Sequence, residues 1–178
     1  SQLVDVNITA TLVLLQRLLP RVLGAPRPQL VLTGSTSALP RSGRPEVAFG
    51  ASKFALNGIA DALREGFRDR RLAVTSLQLG YLNTDDALSV PVAEAAARGD
   101  GELVPVHDVV AMVRALLQLS PSGFVRELVL PAIADPLTRG SAWVTLWDAL
   151  LDGALTPEAF MDLAGAAVDI AATTDPLL

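Results

Sequence analysis

Cysteine is absent from the 178 residues. That excludes disulfide bonds and thiolate chemistry and fits a reducing compartment, so the expected location is cytoplasmic. Histidine occurs once, at His107, and lysine once, at Lys53. One imidazole cannot build a His-rich metal site, and no metal centre is expected. Aromatic residues make up only 4% of the chain, with a single tyrosine, Tyr81. Basic blocks are missing and the net charge is −5, which argues against a nucleic-acid partner. No apolar run reaches the ~18 residues of a membrane span without polar breaks. Leu3–Leu23 comes nearest, but Asp5, Asn7, Gln16, Arg17 and Pro20 interrupt it, so no membrane partner is expected. The N-terminus shows neither a basic region nor a cleavage site, and no signal peptide is expected. What is present is a chain 51% apolar, enough for a real core. Its length suits one domain with an appendage.

Pro45–Arg70 organises the rest. Phe49, Leu56, Ile59, Ala60, Leu63 and Phe67 recur near a 3.6-residue period and predict an amphipathic helix. Pro45 and Glu46 suit its first turn, with a fixed φ and an acid near the positive dipole end. Phe49 and Lys53 are four apart and share a face. The lone lysine among arginines is either a place that needs a compact ammonium or a solvated side chain kept by chance.

Ser1–Leu23 predicts a helix whose stripe is Leu3, Val6, Ala10, Val13, Leu14, Arg17 and Leu18, ending near Pro20 and Gly24. Gln29–Thr33 is an apolar run of strand size, followed by the hydroxyl-rich Gly34-Ser35-Thr36-Ser37. Leu72–Leu79 reads as a second strand, followed by Gly80-Tyr81-Leu82-Asn83-Thr84. Val90–Gly99 predicts a short helix and Asp100-Gly101 a turn. His107–Leu119 predicts a helix with Val109, Val110, Val113, Leu116 and Leu117 inward. Val125–Pro131 predicts a last strand. In open α/β sheets ligands bind beyond the carboxyl ends of strands, which makes the Ser35 turn a candidate site. Taken alone, that segment reads equally as an ordinary turn, Thr84-Asp85 as a helix cap, and Asn7 as a residue bonding its local backbone.

The stretch Ala48-Phe49-Gly50-Ala51-Ser52-Lys53-Phe54-Ala55-Leu56 resembles the active-site helix of the short-chain dehydrogenases/reductases, whose motif is Tyr-x-x-x-Lys. Lys53 matches the lysine, and Phe49 stands where the tyrosine would be. Asp5-Val6-Asn7 is similar to the family's Val-Asn, where the asparagine kinks its helix and holds a water in a proton relay to the lysine. Ser35 aligns with the family's catalytic serine, with Gly34 replacing the first residue of a Ser-Ser pair. Gly80 and Thr84 match its Pro-Gly-x-x-x-Thr loop, with Leu79 in place of the proline. The resemblance thus implies Asn7, Ser35, Phe49 and Lys53 as the catalytic set. It implies Lys53, Gly80 and Thr84 as residues toward an NAD or NADP cofactor. In such a site the tyrosine exchanges the substrate proton, the lysine lowers its pKa and bonds the ribose, and the serine polarises a carbonyl. Phenylalanine has no proton to give, so Tyr81 or a water is the alternative acid.

The resemblance spans Ser1 to Pro131. The family's Thr-Gly-x-x-x-Gly-x-Gly turn, which cradles a pyrophosphate at a helix N-terminus, does not occur in these residues. The implied fold is therefore α/β, the C-terminal half of a Rossmann-like three-layer sandwich: a partial parallel sheet with flanking helices over residues 1–134. A helical tail occupies 135–178, where Trp143, Leu146, Trp147 and Leu150 form an apolar face and Thr173–Leu178 frays. Part of the tail resembles a helical stretch in the C-terminal domain of bacterial aminopeptidase N, whose His-Glu-x-x-His motif is absent. The strand Gln29–Thr33 is expected to have an open edge, filled by a second copy or a complementing chain. Two functions stay open. One is an NAD(P)-dependent oxidoreductase acting on a small hydroxyl/carbonyl pair, impaired by Phe49. The other is a non-catalytic scaffold or oligomerisation module.

Overall fold

The computed structural model describes residues 2–40, 42, 46–133, 150–152 and 156–162. Two compact units divide the chain, Ser1–Asp135 and Pro136–Leu178. In the second, residues 157–162 are helical, and the Thr156 hydroxyl accepts the Ala159 N–H at 3.2 Å, an N-cap. Trp143, Leu146, Trp147 and Thr173–Leu178 lie outside the described residues, as does Pro45.

The first unit is α/β. Helix α1 spans Gln2–Leu23, β1 Gln29–Thr33, α2 Val47–Gly66 and β2 Ala73–Leu79. After them come β3 Leu82–Asn83, α3 Val92–Gly99, β4 Val104–Pro105, α4 Val106–Gln118 and β5 Glu127–Leu130. The main sheet has the order β1-β2-β5, all parallel, and β3 pairs with β4 in a second small parallel ladder. Strand β2 is central, and every residue after Ala73 is buried, as in a parallel sheet covered on both faces. Among the described residues no strand pairs with the outer edge of β1. The two-residue strands β3 and β4 carry too little pattern to be read from sequence.

The core joins Leu15 of α1, Ala60 and Leu63 of α2, Leu72 and Val74, with Leu19, Val22, Leu30, Leu32, Ile59 and Phe67 packed against it. The inward face of α1 is therefore Leu15, Leu19 and Val22. The stripe read from the sequence, including Leu3, Val6, Val13, Leu14 and Leu18, faces outward. This helix is apolar around most of its circumference, and a wide π turn at Asp5–Ala10 shifts its phase. Periodicity alone could not choose the buried side. Its 22 residues are also long and apolar enough to cross a bilayer by length and composition, which the polar breaks do not exclude. On α4, Leu116 is buried but Leu117 is 53% exposed, against the expectation that both turn inward.

Arg64 ties α2 to the sheet. Its Nε donates to Val74 O at 2.9 Å, and its terminal nitrogens donate to Ser76 Oγ, Arg126 O and the Asp61 carboxylate. The part-buried bonds to Val74 O and Ser76 Oγ contribute about 1.5–3 kcal/mol each, and the exposed pair with Asp61 about 1 kcal/mol or less.

Two glycines should respond in opposite directions to alanine. A Cβ at Gly58 in mid-α2 meets nothing within 4 Å, so Gly58→Ala should stabilise by about 0.5–1 kcal/mol through helix propensity. A Cβ at Gly80 meets Pro131 Cα at 3.0 Å and Ala132 N at 3.1 Å, both backbone, so Gly80→Ala should destabilise by about 1–3 kcal/mol. Urea denaturation of the two variants checks both signs.

Candidate functional site

The site forms where the carboxyl ends of β1 and β2 meet the first turns of α2. Register pairs Thr33 with Leu77, and the Gly34 N–H continues the ladder to Leu77 O at 2.8 Å. One chain then turns into Ser35–Ala38 and the other into Gly80–Tyr81. A cavity of about 210 Å³ opens between these turns and α2, lined by Ser35, Ser37, Phe49, Leu79, Gly80 and Tyr81 among others.

Lys53 is half-buried. Its Nζ donates to Thr33 O at 3.3 Å and stands 5.8 Å from the centroid of the Phe49 ring, within cation–π range. An ammonium has three donors, and two have no partner among the described residues. Burial pushes the Lys53 pKa below its ordinary 10.5, because a low-dielectric setting disfavours the charged form. The lysine is thus held against the end of β1 and partly shielded from solvent.

Ser35 is buried at the cavity. Its Oγ accepts the Ser37 N–H at 3.1 Å and donates to Ser37 Oγ at 3.1 Å. A bond between two hydroxyls spends one of two protons, so the pair keeps one O–H for a ligand. Ser37 is thereby part of the candidate site. The adjacent Thr36 Oγ1 is buried with no hydrogen-bond partner among the described residues.

Asn7 lies within the wide π turn of α1. Its Nδ2 donates to Ser52 Oγ at 2.9 Å, and Ser52 Oγ donates to Phe49 O at 2.8 Å. Asn7 therefore bonds across to α2 rather than to its own local backbone. Its reach goes to the residue before Lys53, not to the lysine. Such turns recur at functional sites because they aim a side chain out of helical phase. Thr84 is exposed and caps no helix, since α3 begins at Val92 after Pro91. Asn83 beside it is buried, donates to the Asp86 carboxylate at 2.8 Å and accepts the Asp85 N–H at 3.2 Å, which orders the loop.

Sequence reasoning missed Ser52 and Gln78. Ser52 is fully buried beside the lysine. Gln78 is a large polar side chain, fully buried in a central strand, and a glutamine inside a β-rich apolar run was the available signal. His107, by contrast, sits at the start of α4 with Nε2 2.8 Å from Val90 O, away from the site's residues.

Because the folded chain holds the Lys53 proton less tightly than the unfolded chain, the unfolded state binds more protons in the window below 10.5. Stability should therefore rise with pH through that window and fall back as pH drops through the folded pKa. The NMR shifts of the Lys53 Cε methylene should titrate below 10.5. Lys53→Met should remove the alkaline rise in urea midpoint. Titration at or above the ordinary value would contradict the burial.

A family model described as short chain dehydrogenase matches residues 1–93. Among curated proteins none matches the chain. Among solved structures, 4-hydroxyisoleucine dehydrogenase complexed with NADH is similar, with 20% identity over 75% of this chain and TM-score 0.54. A blue fluorescent protein from a metagenomic library, in complex with NADPH, shares 24% identity over 74% of this chain, with TM-score 0.54. Acetoin dehydrogenase from Salmonella typhimurium shares 15% identity over 74%, with TM-score 0.59. The chain spans 58%, 54% and 54% of the lengths of these three structures. The structural likenesses carry the Rossmann-like α/β fold, and the family match extends over more than half of the sequence. Together with the lysine on α2, the serine past β1 and the asparagine in the π turn, they make this chain a member of the short-chain dehydrogenase family.

Proposed function

We propose that this chain forms the nicotinamide-ribose and carbonyl-binding half of an NAD(P)-dependent oxidoreductase site, acting on a small hydroxyl/carbonyl pair, with its proton transfer impaired by Phe49. The observation that carries this reading is the placement of Lys53 Nζ on Thr33 O, two residues before Ser35, at the edge where β1 and β2 end. The donors present fit the ribose part of a nicotinamide cofactor. Lys53 offers two unspent N–H groups, a match for vicinal hydroxyls. Gly80, Tyr81 and Ser35 wall a cavity that is also lined by Phe49, whose ring faces the Lys53 ammonium. The NADH and NADPH in two of the similar structures support either cofactor.

When bound, the cofactor supplies or takes the hydride. The chain's own residues do the rest. The Ser35–Ser37 pair presents one O–H to a carbonyl oxygen and polarises it. Lys53 holds the ribose and, next to Phe49, finds no phenol whose pKa it could lower. The proton then comes from Tyr81, which shares the cavity, or from water. Loss of a positioned general acid costs about 10²–10⁴-fold in rate. A scaffold role is the second reading. It is favoured by the exposed Leu12, Val13, Leu14 and Leu18 on α1 and by the outer edge of β1, which no strand among the described residues pairs, both suited to a second copy or a complementing chain.

Fluorescence titration with NADH and NADPH should show binding. Phe49→Tyr should then raise carbonyl reduction by about 10²–10⁴-fold, followed by loss of NAD(P)H absorbance. No binding of either nucleotide at millimolar concentration would leave the scaffold reading in place of the enzyme.

A further inference from the structure

Gln78 and Gly34 meet at an unusual contact directly behind the Ser35 turn. The Gln78 side chain is fully buried, and three of its four hydrogen-bonding positions are engaged. Its Oε1 accepts the Ser35 N–H at 3.0 Å. Its Nε2 donates to Asn57 Oδ1 and to Glu127 Oε1, each at 2.8 Å. Asn57 in turn donates from Nδ2 to Ala38 O at 3.1 Å. Two neighbouring carboxamides thereby hold the first N–H and the last carbonyl of Ser35–Ala38. They anchor that turn to α2 through Asn57 and to β5 through Glu127.

Space for this arrangement exists only because residue 34 has no side chain. A Cβ there would lie 2.0 Å from Gln78 Oε1 and 2.9 Å from its Cδ. The side chain that must yield is held at three points and enclosed, so it has nowhere to swing. The glycine at 34 answers to this contact rather than to a left-handed φ, since Gly34 is not among the positive-φ glycines.

We propose that Gln78 is a positioning residue. Its carboxamide fixes the backbone of Ser35 and so sets where the Ser35–Ser37 hydroxyl pair points into the cavity. Gly34 is required to admit it. The two positions form one unit: a side chain at 34 displaces the carboxamide, and loss of the carboxamide releases the turn. The functional part of this inference rests on the reading of the Ser35–Ser37 pair as the carbonyl-facing hydroxyls. The geometric part does not.

Amide exchange and two-dimensional NMR of the 178-residue chain test it without cofactor or turnover. In the unaltered chain the Gln78 side-chain NH₂ protons should be protected. Gln78→Met keeps the length and removes the acceptor, so Ser35 N–H exchange should quicken about tenfold, the equivalent of one ordinary hydrogen bond. Its cross-peak should move while those of α4 stay in place. Gly34→Ala should lower the melting temperature markedly, and much less in a Gln78→Ala background, where the clashing atoms are gone. An unprotected Gln78 NH₂, an unchanged Ser35 amide in Gln78→Met, or an equal Gly34→Ala penalty in both backgrounds would each overturn the proposal. A failure of nucleotide binding would count against the oxidoreductase reading and leave these signals intact.

Discussion

The parallel pairing of Gln29–Thr33 with Ala73–Leu79 brings the polar groups of the site together. Residue pairs from Gln29–Ala73 to Thr33–Leu77 run in register, and both strands end at the same edge of the sheet. A parallel ladder cannot close by a hairpin; it needs a crossover, and here α2 is that crossover. The same covalent path that pairs the strands therefore lays the first turns of α2 across their ends. Lys53 reaches Thr33 O from α2, Ser35 begins the next turn, and Gly80 follows β2, its N–H bonded to Leu130 O at 2.9 Å.

Helix α2 divides its work along its length. Its first half carries Phe49, Ser52 and Lys53, with few apolar anchors. Its second half carries Leu56, Ala60 and Leu63 in the core and Arg64, whose guanidinium reaches β2 and the approach to β5. The chemistry-bearing end is therefore steadied by packing further along the helix. Phe49 keeps the ring of the matched tyrosine position and loses its hydroxyl. The ring lies 5.8 Å from the Lys53 ammonium, and in the proposed function it fills the place of the family's tyrosine without its acid.

The sequence revealed β1 residue for residue and placed both long helices, because their hydrophobic period and turn residues agree with the tertiary structure. Lys53, Ser35, Gly80 and Asn7 were legible through the family motif. Other features were hidden for physical reasons. The buried face of α1 was hidden because that helix is apolar on both sides and its phase shifts at Asp5–Ala10. Leu117 misled because Leu116 and Leu117 are equally apolar and only one can turn inward. Gln78 escaped because strand propensity says nothing about a buried amide whose partners, Ser35, Asn57 and Glu127, lie far off in sequence. Gly34 read as a missing serine, whereas its reason is the carboxamide pressed against it.

The proposed function requires Lys53 and Ser35 to face one nicotinamide ribose. Chemical-shift mapping of the isotope-labelled chain against NADH tests that directly. Perturbations should concentrate at Ser35, Lys53, Gly80 and Tyr81 and weaken in Lys53→Met. Perturbations confined to another face, or a map unchanged by the loss of Lys53, would contradict it.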